Sequence, residues 1–241
     1  MRRRNESAEI GRPADTEPKP LLIFGAGGRL GRTLVREALR RGHRVRAVAH
    51  RTDPLAPHPR LEVVRGDVHA PDSLGAHFAG IGAVLAALGS AGATRPDIAG
   101  TGARVITGLM PDHGLTRLVT VTGSGAMLPG EQATGHHAIK RDQMTQGAPR
   151  LLADGDDHLA VLADCGLDWT TIRVPFMTRR RSDTDEYAIS EAAFQPTASL
   201  PYRAAATAML DLTASGSWSR SSPFVAGGPT VSRTLAWTSN Y

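Results

Sequence analysis

Cysteine occurs once in the 241 residues, at Cys165, and lysine only twice, at Lys19 and Lys140. A single thiol excludes an intrachain disulfide, so a reducing cytoplasm is the expected compartment. Cys165 stands just before Gly166, where a small residue suits the end of a helix. No run of about 18 apolar residues is present to span a membrane, and the start of the chain lacks the apolar segment of a signal peptide. Aromatic residues make up only 5% of the chain, and tyrosine is absent before residue 187. With so little lysine, the formal net charge of +5 rests on arginine. Its densest groups, Arg2 to Arg4 and Arg179 to Arg181, have no aromatic rings between them of the kind a single-strand nucleic-acid platform needs. Neither nucleic acid nor a membrane is therefore an expected partner, and no metal site is expected. A small-molecule substrate is, with a homodimer left open.

The chain is long enough for one sizeable core. Residues 1–18 are polar and proline-containing and read as a disordered leader; residues 19–241 read as a single domain. Leu21 to Phe24 is a fully apolar run, the pattern of a central parallel strand. Leu30, Leu34, Val35 and Leu39 then fall on one face of a helix that ends near Gly42. Further strands are expected at 45–49, 61–64, 83–88, 118–122 and 169–172, and a last one at Phe224-Val225. Helices are expected near 98–110, 156–164 and 202–212. Alternation of this kind predicts right-handed crossovers and a doubly wound, parallel, Rossmann-like α/β sheet. Two stretches break the rhythm. Residues 125–150 predict a long loop with at most a short helix, and 178–200 an irregular excursion; both belong on the substrate side of such a sheet.

The turn Gly25-Ala26-Gly27-Gly28-Arg29-Leu30-Gly31 joins the first strand to the first helix. Glycines there permit a tight turn and let backbone amides approach a pyrophosphate at a helix N-terminus. After the second strand stand His50 and Arg51, with no carboxylate until Asp53. A basic pair suits a 2′-phosphate, whereas an NAD site wants an acid, so NADP(H) is the expected cofactor. Asp67 and Val68 after the third strand, and Leu88 and Gly89 after the fourth, complete the expected cofactor-binding set.

These residues resemble the atypical short-chain dehydrogenase/reductase group, particularly its NmrA-like and biliverdin reductase B (flavin reductase)-like members. The similar segments are Ile-Phe-Gly-Ala-Gly-Gly-Arg-Leu-Gly (23–31), Gly-His-Arg-Val-Arg-Ala-Val-Ala-His-Arg (42–51), Gly-Asp-Val (66–68), Gly-Thr-Gly-Ala-Arg-Val (100–105) and Gly-Leu-Asp-Trp-Thr-Thr-Ile-Arg-Val-Pro (166–175). The resemblance implies NADP(H), a serine or threonine after the fifth strand, and a Tyr-x-x-x-Lys pair on the next helix. Thr122 and Ser124 supply the hydroxyl. The tyrosine is missing; the nearest analogue is His136, four residues before Lys140, and His158 is a second candidate proton donor. Where biliverdin reductase B-like members have a histidine after the sixth strand, this chain has Phe176. Phe176, Met177 and Tyr187, with Phe194 and Tyr202, are candidates to line a substrate pocket, and Arg173 to meet an acidic group. The group contains reductases, non-redox enzymes and redox-sensing regulators. Three readings follow: an NADPH-dependent oxidoreductase acting on a small aromatic, ketone, quinone or flavin-like metabolite; an isomerase, lyase or cyclase on the same scaffold; or an NADP(H)-sensing regulator. An aromatic or polyketide-like product of secondary metabolism is the expected kind of substrate.

Overall fold

In the apolar run Leu21–Phe24 (β1), alternate side chains go to opposite faces of the sheet: Leu21 and Ile23 to one, Leu22 and Phe24 to the other. Burial on both faces is why the strand is continuously hydrophobic rather than alternating. The computed structural model describes residues 18–50, 55–89, 95–179 and 185–228. β1 pairs in parallel with β2 (Val45–Ala49) on one side and β4 (Ala83–Ala86) on the other. β3 (Leu61–Arg65), β5 (Arg117–Gly123), β6 (Asp168–Val174), β8 (Tyr187–Ser190) and β10 (Phe224–Gly227) complete a sheet of order β3-β2-β1-β4-β5-β6-β10-β8. The strand order turns back between β1 and β4, where open α/β sheets place their ligands.

Helices cover both faces. α1 (Arg29–Arg40) packs on α5 (Tyr202–Ser215) over one, and α2 (Ile98–Leu109) packs on α4 (Pro149–Asp164) over the other. Leu30, Leu34 and Val35 of α1 meet Ala205, Met209 and Leu212 of α5 in the first core. Ile106, Met110, Leu162 and Trp169 fill the second. Among the described residues no helix is long and apolar enough to cross a membrane.

Three local expectations change. The stretch 125–150 carries a helix of 13 residues, α3 (Gly135–Gly147), of which only His137 is buried. A helix without an apolar stripe gives no periodic signal; α3 is held to α4 by the Arg141–Asp156 ion pair instead. α4 starts at Pro149, a residue suited to the first helical position, rather than near 156. Its buried face includes Asp154 and His158, which disguised the pattern. The stretch 178–200 holds β8, antiparallel to β10, with Tyr187 and Ile189 packed on the α1/α5 core. It also holds β9 (Ser199–Pro201), which pairs in parallel with β7 (Phe176–Thr178). The sheet is thus parallel except at its β8 edge. The expected leader at 1–18 lies, but for Pro18, outside the described residues.

Candidate functional site

The turn after β1 is shaped by what it cannot accommodate. Gly25 has φ +72°, and a β-carbon there would lie 2.6 Å from the Ala87 carbonyl oxygen after β4. A β-carbon on Gly31 would collide with the Gly25 carbonyl. The turn therefore folds against β4 and α1 starts hard against the turn. Gly28 is the N-cap of α1, with no side-chain cap and no acidic residue in the first turn. The first intrahelical bond runs from the Arg32 amide to the Gly28 carbonyl, at 2.9 Å. The amides of Arg29, Leu30 and Gly31 are left without intrahelical acceptors, at the positive end of the helix. Gly27 is half-buried within the turn, whereas Gly28 and Arg29 are exposed. A cradle that a single methyl group would fill, lined by free amides, fits the pyrophosphate of a dinucleotide.

Beside it, His50 is exposed after β2, with Nδ1 3.2 Å from Asp67 Oδ2. Asp67 Oδ1 accepts the His69 amide at 2.9 Å, and His69 Nε2 lies 3.2 Å from Asp97 Oδ1. The His69 amide, with the His50 and His69 rings, holds the Asp67 carboxyl below its usual range. Val68 is buried, and Leu88 fits over Gly102 of α2, whose β-carbon would strike it. Gly89 is exposed. Arg51, the other half of the expected basic pair, lies outside the described residues.

The ends of β5 and β6 and the start of β10 form a second locus. Thr122 is buried beneath α4, and a β-carbon on Gly155 would sit 2.9 Å from its hydroxyl. Ser124 follows β5, its amide donating to the Val174 carbonyl at 2.8 Å. It lines a narrow cleft of about 10 Å³, room for a single water, with Lys140, Arg173, Pro175, Phe194 and Phe224. Arg173 is buried; its Nε donates to the Ser222 carbonyl at 2.8 Å and its Nη1 to both Glu131 carboxylate oxygens at 2.7 and 2.8 Å. Its guanidinium stands 4.1 Å from the centre of the Phe224 ring.

The histidine expectations need correction. His136 is exposed and does not line this cleft. Its neighbour His137 is the one turned inward, with Nε2 3.2 Å from the Ala126 carbonyl and its ring edge-on to Phe224 at 5.1 Å. Burial, and then the Arg173 charge, pushes its pKa down. His158 belongs to the core between α4 and β5. Its Nε2 is 2.9 Å from Thr120 Oγ1, and burial lowers its pKa to about 4. A wholly buried neutral ring held by β5 does not deliver protons to a cleft. Of the expected pocket residues, Phe176 is 76% exposed. Met177 packs on the α1/α5 core, as does Tyr202. The Tyr187 hydroxyl donates to Asp211 at 3.0 Å. None of these four lines the cleft beside Ser124, which Phe194 does. Sequence reasoning missed Glu131, His137 and Phe224. A helical reading of 135–147 would have set His136 and His137 on different faces; for Glu131, an isolated carboxylate in a loop, no sequence signal exists. Among the described residues no group of three His, Cys, Asp or Glu side chains could hold a metal ion.

The profile of the NAD(P)H-binding family matches residues 25–214, from the glycine turn through nearly all of α5. Solved structures share the fold at low identity. The oxidoreductase ylbE from Lactococcus lactis is 17% identical, with a TM-score of 0.72 over 88% of this chain and 92% of that one. A wide-type short-chain dehydrogenase/reductase from Veillonella parvula, in complex with NADP, is 18% identical with a TM-score of 0.70, covering 88% and 95% of the two chains. A Streptococcus pneumoniae protein described as an NADH-flavin reductase is 20% identical with a TM-score of 0.68, covering 87% of this chain and all of that one (100%).

Proposed function

The chain belongs to the NAD(P)H-binding family, and from that premise we propose that it is an NADPH-dependent oxidoreductase that reduces a small aromatic, ketone, quinone or flavin-like metabolite. The observation that carries this reading is the placement of two loci on the side where the parallel strands β1, β4, β5 and β6 end: the glycine cradle at β1 and β4, and the Ser124 cleft at β5, β6 and the start of β10. NADPH, when bound, supplies a hydride. The chain's own residues do the rest. The amides of Arg29 to Gly31 bind the diphosphate, and Val68 and Leu88 flank the adenosine side. His50, and Arg51 beyond it, favour a 2′-phosphate over a bare hydroxyl. Ser124 donates a hydrogen bond to the acceptor oxygen and fixes its position. With no tyrosine among the described residues that line the cleft, the proton follows from solvent.

The test is consumption of NADPH, followed by the absorbance of reduced nicotinamide, with a panel of flavins, quinones and ketones. Turnover that falls at least tenfold on Ser124→Ala supports the reading, an effect of the size expected for one positioned donor, roughly 10²-fold. Tight NADPH binding without consumption of it overturns reduction and leaves the non-redox and regulatory readings. No binding at all removes the premise of a working cofactor site.

A further inference from the structure

Asp67 stands on the adenosine side of the cofactor site, yet both of its oxygens are engaged by the protein. Oδ1 accepts the His69 amide at 2.9 Å and lies 3.4 Å from His69 Nδ1, while the other nitrogen of that ring meets Asp97. Oδ2 stands 3.2 Å from Nδ1 of His50, whose side chain is 63% exposed. The two strand ends that carry this pair are fixed to each other. The Gly66 amide donates to the Ala49 carbonyl at 3.1 Å, and a β-carbon on Gly66 would strike Leu74 and Val48. The other charged groups on the elements beside His50 are Arg65, opposite Ala49 in the β2–β3 register, and Arg29 at the start of α1, both exposed. Held below its usual range, the Asp67 carboxyl is ionised near neutral pH and can only accept. Nδ1 of His50 therefore carries the hydrogen of their bond. In the neutral ring Nε2 is then a bare acceptor, and only the imidazolium offers an Nε2–H. A 2′-phosphate is anionic and has no donor to give in return.

We propose that Asp67 is a positioning residue for coenzyme choice. It holds His50 by Nδ1, so that the ring meets the 2′-phosphate of NADP(H) through Nε2 and only as the imidazolium. The preference for NADP(H) over NAD(H) therefore fades as His50 loses its proton: Nε2 stops donating, and the Asp67 charge beside the phosphate is no longer offset. This deepens the NADPH reading and rests on it.

The test measures dissociation constants of NADP+ and NAD+ between about pH 5.5 and 8, the span in which imidazole ordinarily titrates, with a melting temperature at each pH to confirm the fold. In the native protein the ratio of the NAD+ constant to the NADP+ constant should fall roughly tenfold as pH rises, the scale of one charge-assisted hydrogen bond at an exposed site. In His50→Gln only the phosphate's own ionisation near pH 6 remains. That adds negative charge to NADP+ as pH rises, so the ratio should stay level or climb. Asp67→Asn keeps an acceptor for the His69 amide and frees the neutral His50 ring to carry its hydrogen at Nε2; the fall should shrink to less than half. A level ratio in the native protein, a fall that survives His50→Gln, or one unchanged in Asp67→Asn overturns the inference. Binding of NADP+ is measured first. If it fails, the NADPH reading falls; if it succeeds and the ratio is level, only the assignment of Asp67 and His50 falls.

Discussion

A methyl group at position 31 would run into the Gly25 carbonyl, and backbone on both sides leaves neither partner free to yield. Gly31→Ala must therefore lift α1 away from the turn that positions its free amides. It is expected to cost about 1–3 kcal/mol of stability, the usual penalty of overpacking, and to weaken NADPH binding by more than its stability loss alone implies. Calorimetric titration beside urea unfolding separates the two effects. His158 gives a second residue-scale test. Inside the fold its ring stays neutral down to about pH 4, whereas in the unfolded chain it takes up a proton near 6.5. Between these values the unfolded state binds more protons, so stability falls as pH drops from 6.5 toward 4 and is untouched above that window. The ceiling is about 3 kcal/mol from this group, with His137 adding in the same direction. Urea unfolding at several pH values should show the loss in the native protein and a flatter profile in His158→Leu.

At the scale of elements, α2 takes its N-terminal cap from another helix. Asp154 of α4 is buried, and its two oxygens accept the Ala99 and Gly100 amides at 3.2 and 2.9 Å. The residue that precedes α2, Asp97, makes no side-chain cap and meets His69 instead. Asp154→Ala leaves two buried amides unsatisfied and is expected to cost about 1–3 kcal/mol. Asp154→Asn, keeping one acceptor, should cost less, and the order of the two melting temperatures checks this. The same bonds explain what was legible in the sequence. The glycine turn, β1 and the amphipathic α1 are readable because they are local: the spacing within Leu21–Arg40 encodes them. The Asp154 cap joins positions 55 and 54 residues apart, and the Glu131–Arg173 pair spans 42. No pattern in a single sequence reports such contacts. His136 is singled out by its spacing of four from Lys140, and a helix lacking an apolar stripe gives no cue that His137 is the one turned inward.

For the whole molecule, the cofactor's expected effect is on global stability, because the cradle is made by β1, α1 and the β4 end together and exists only in the folded sheet. NADP+ at roughly a hundredfold excess over Kd should add about 2.7 kcal/mol, which for a chain of this size raises Tm by about 5–10 °C. NAD+ at the same concentration should raise it less, and His50→Ala should narrow the gap. A larger shift with NAD+ would reverse the specificity assignment. The antiparallel β8 was not legible at this scale: four residues with two apolar side chains are too short a signal to set a strand's direction, which its pairing with β10 decides. The borrowed cap on α2 also bears on how the chain is made. During synthesis α2 leaves the ribosome some fifty residues ahead of Asp154, with its first amides open and the side that α4 covers bare. A nascent chain paused before α4 would therefore present that uncapped start and uncovered side to chaperones.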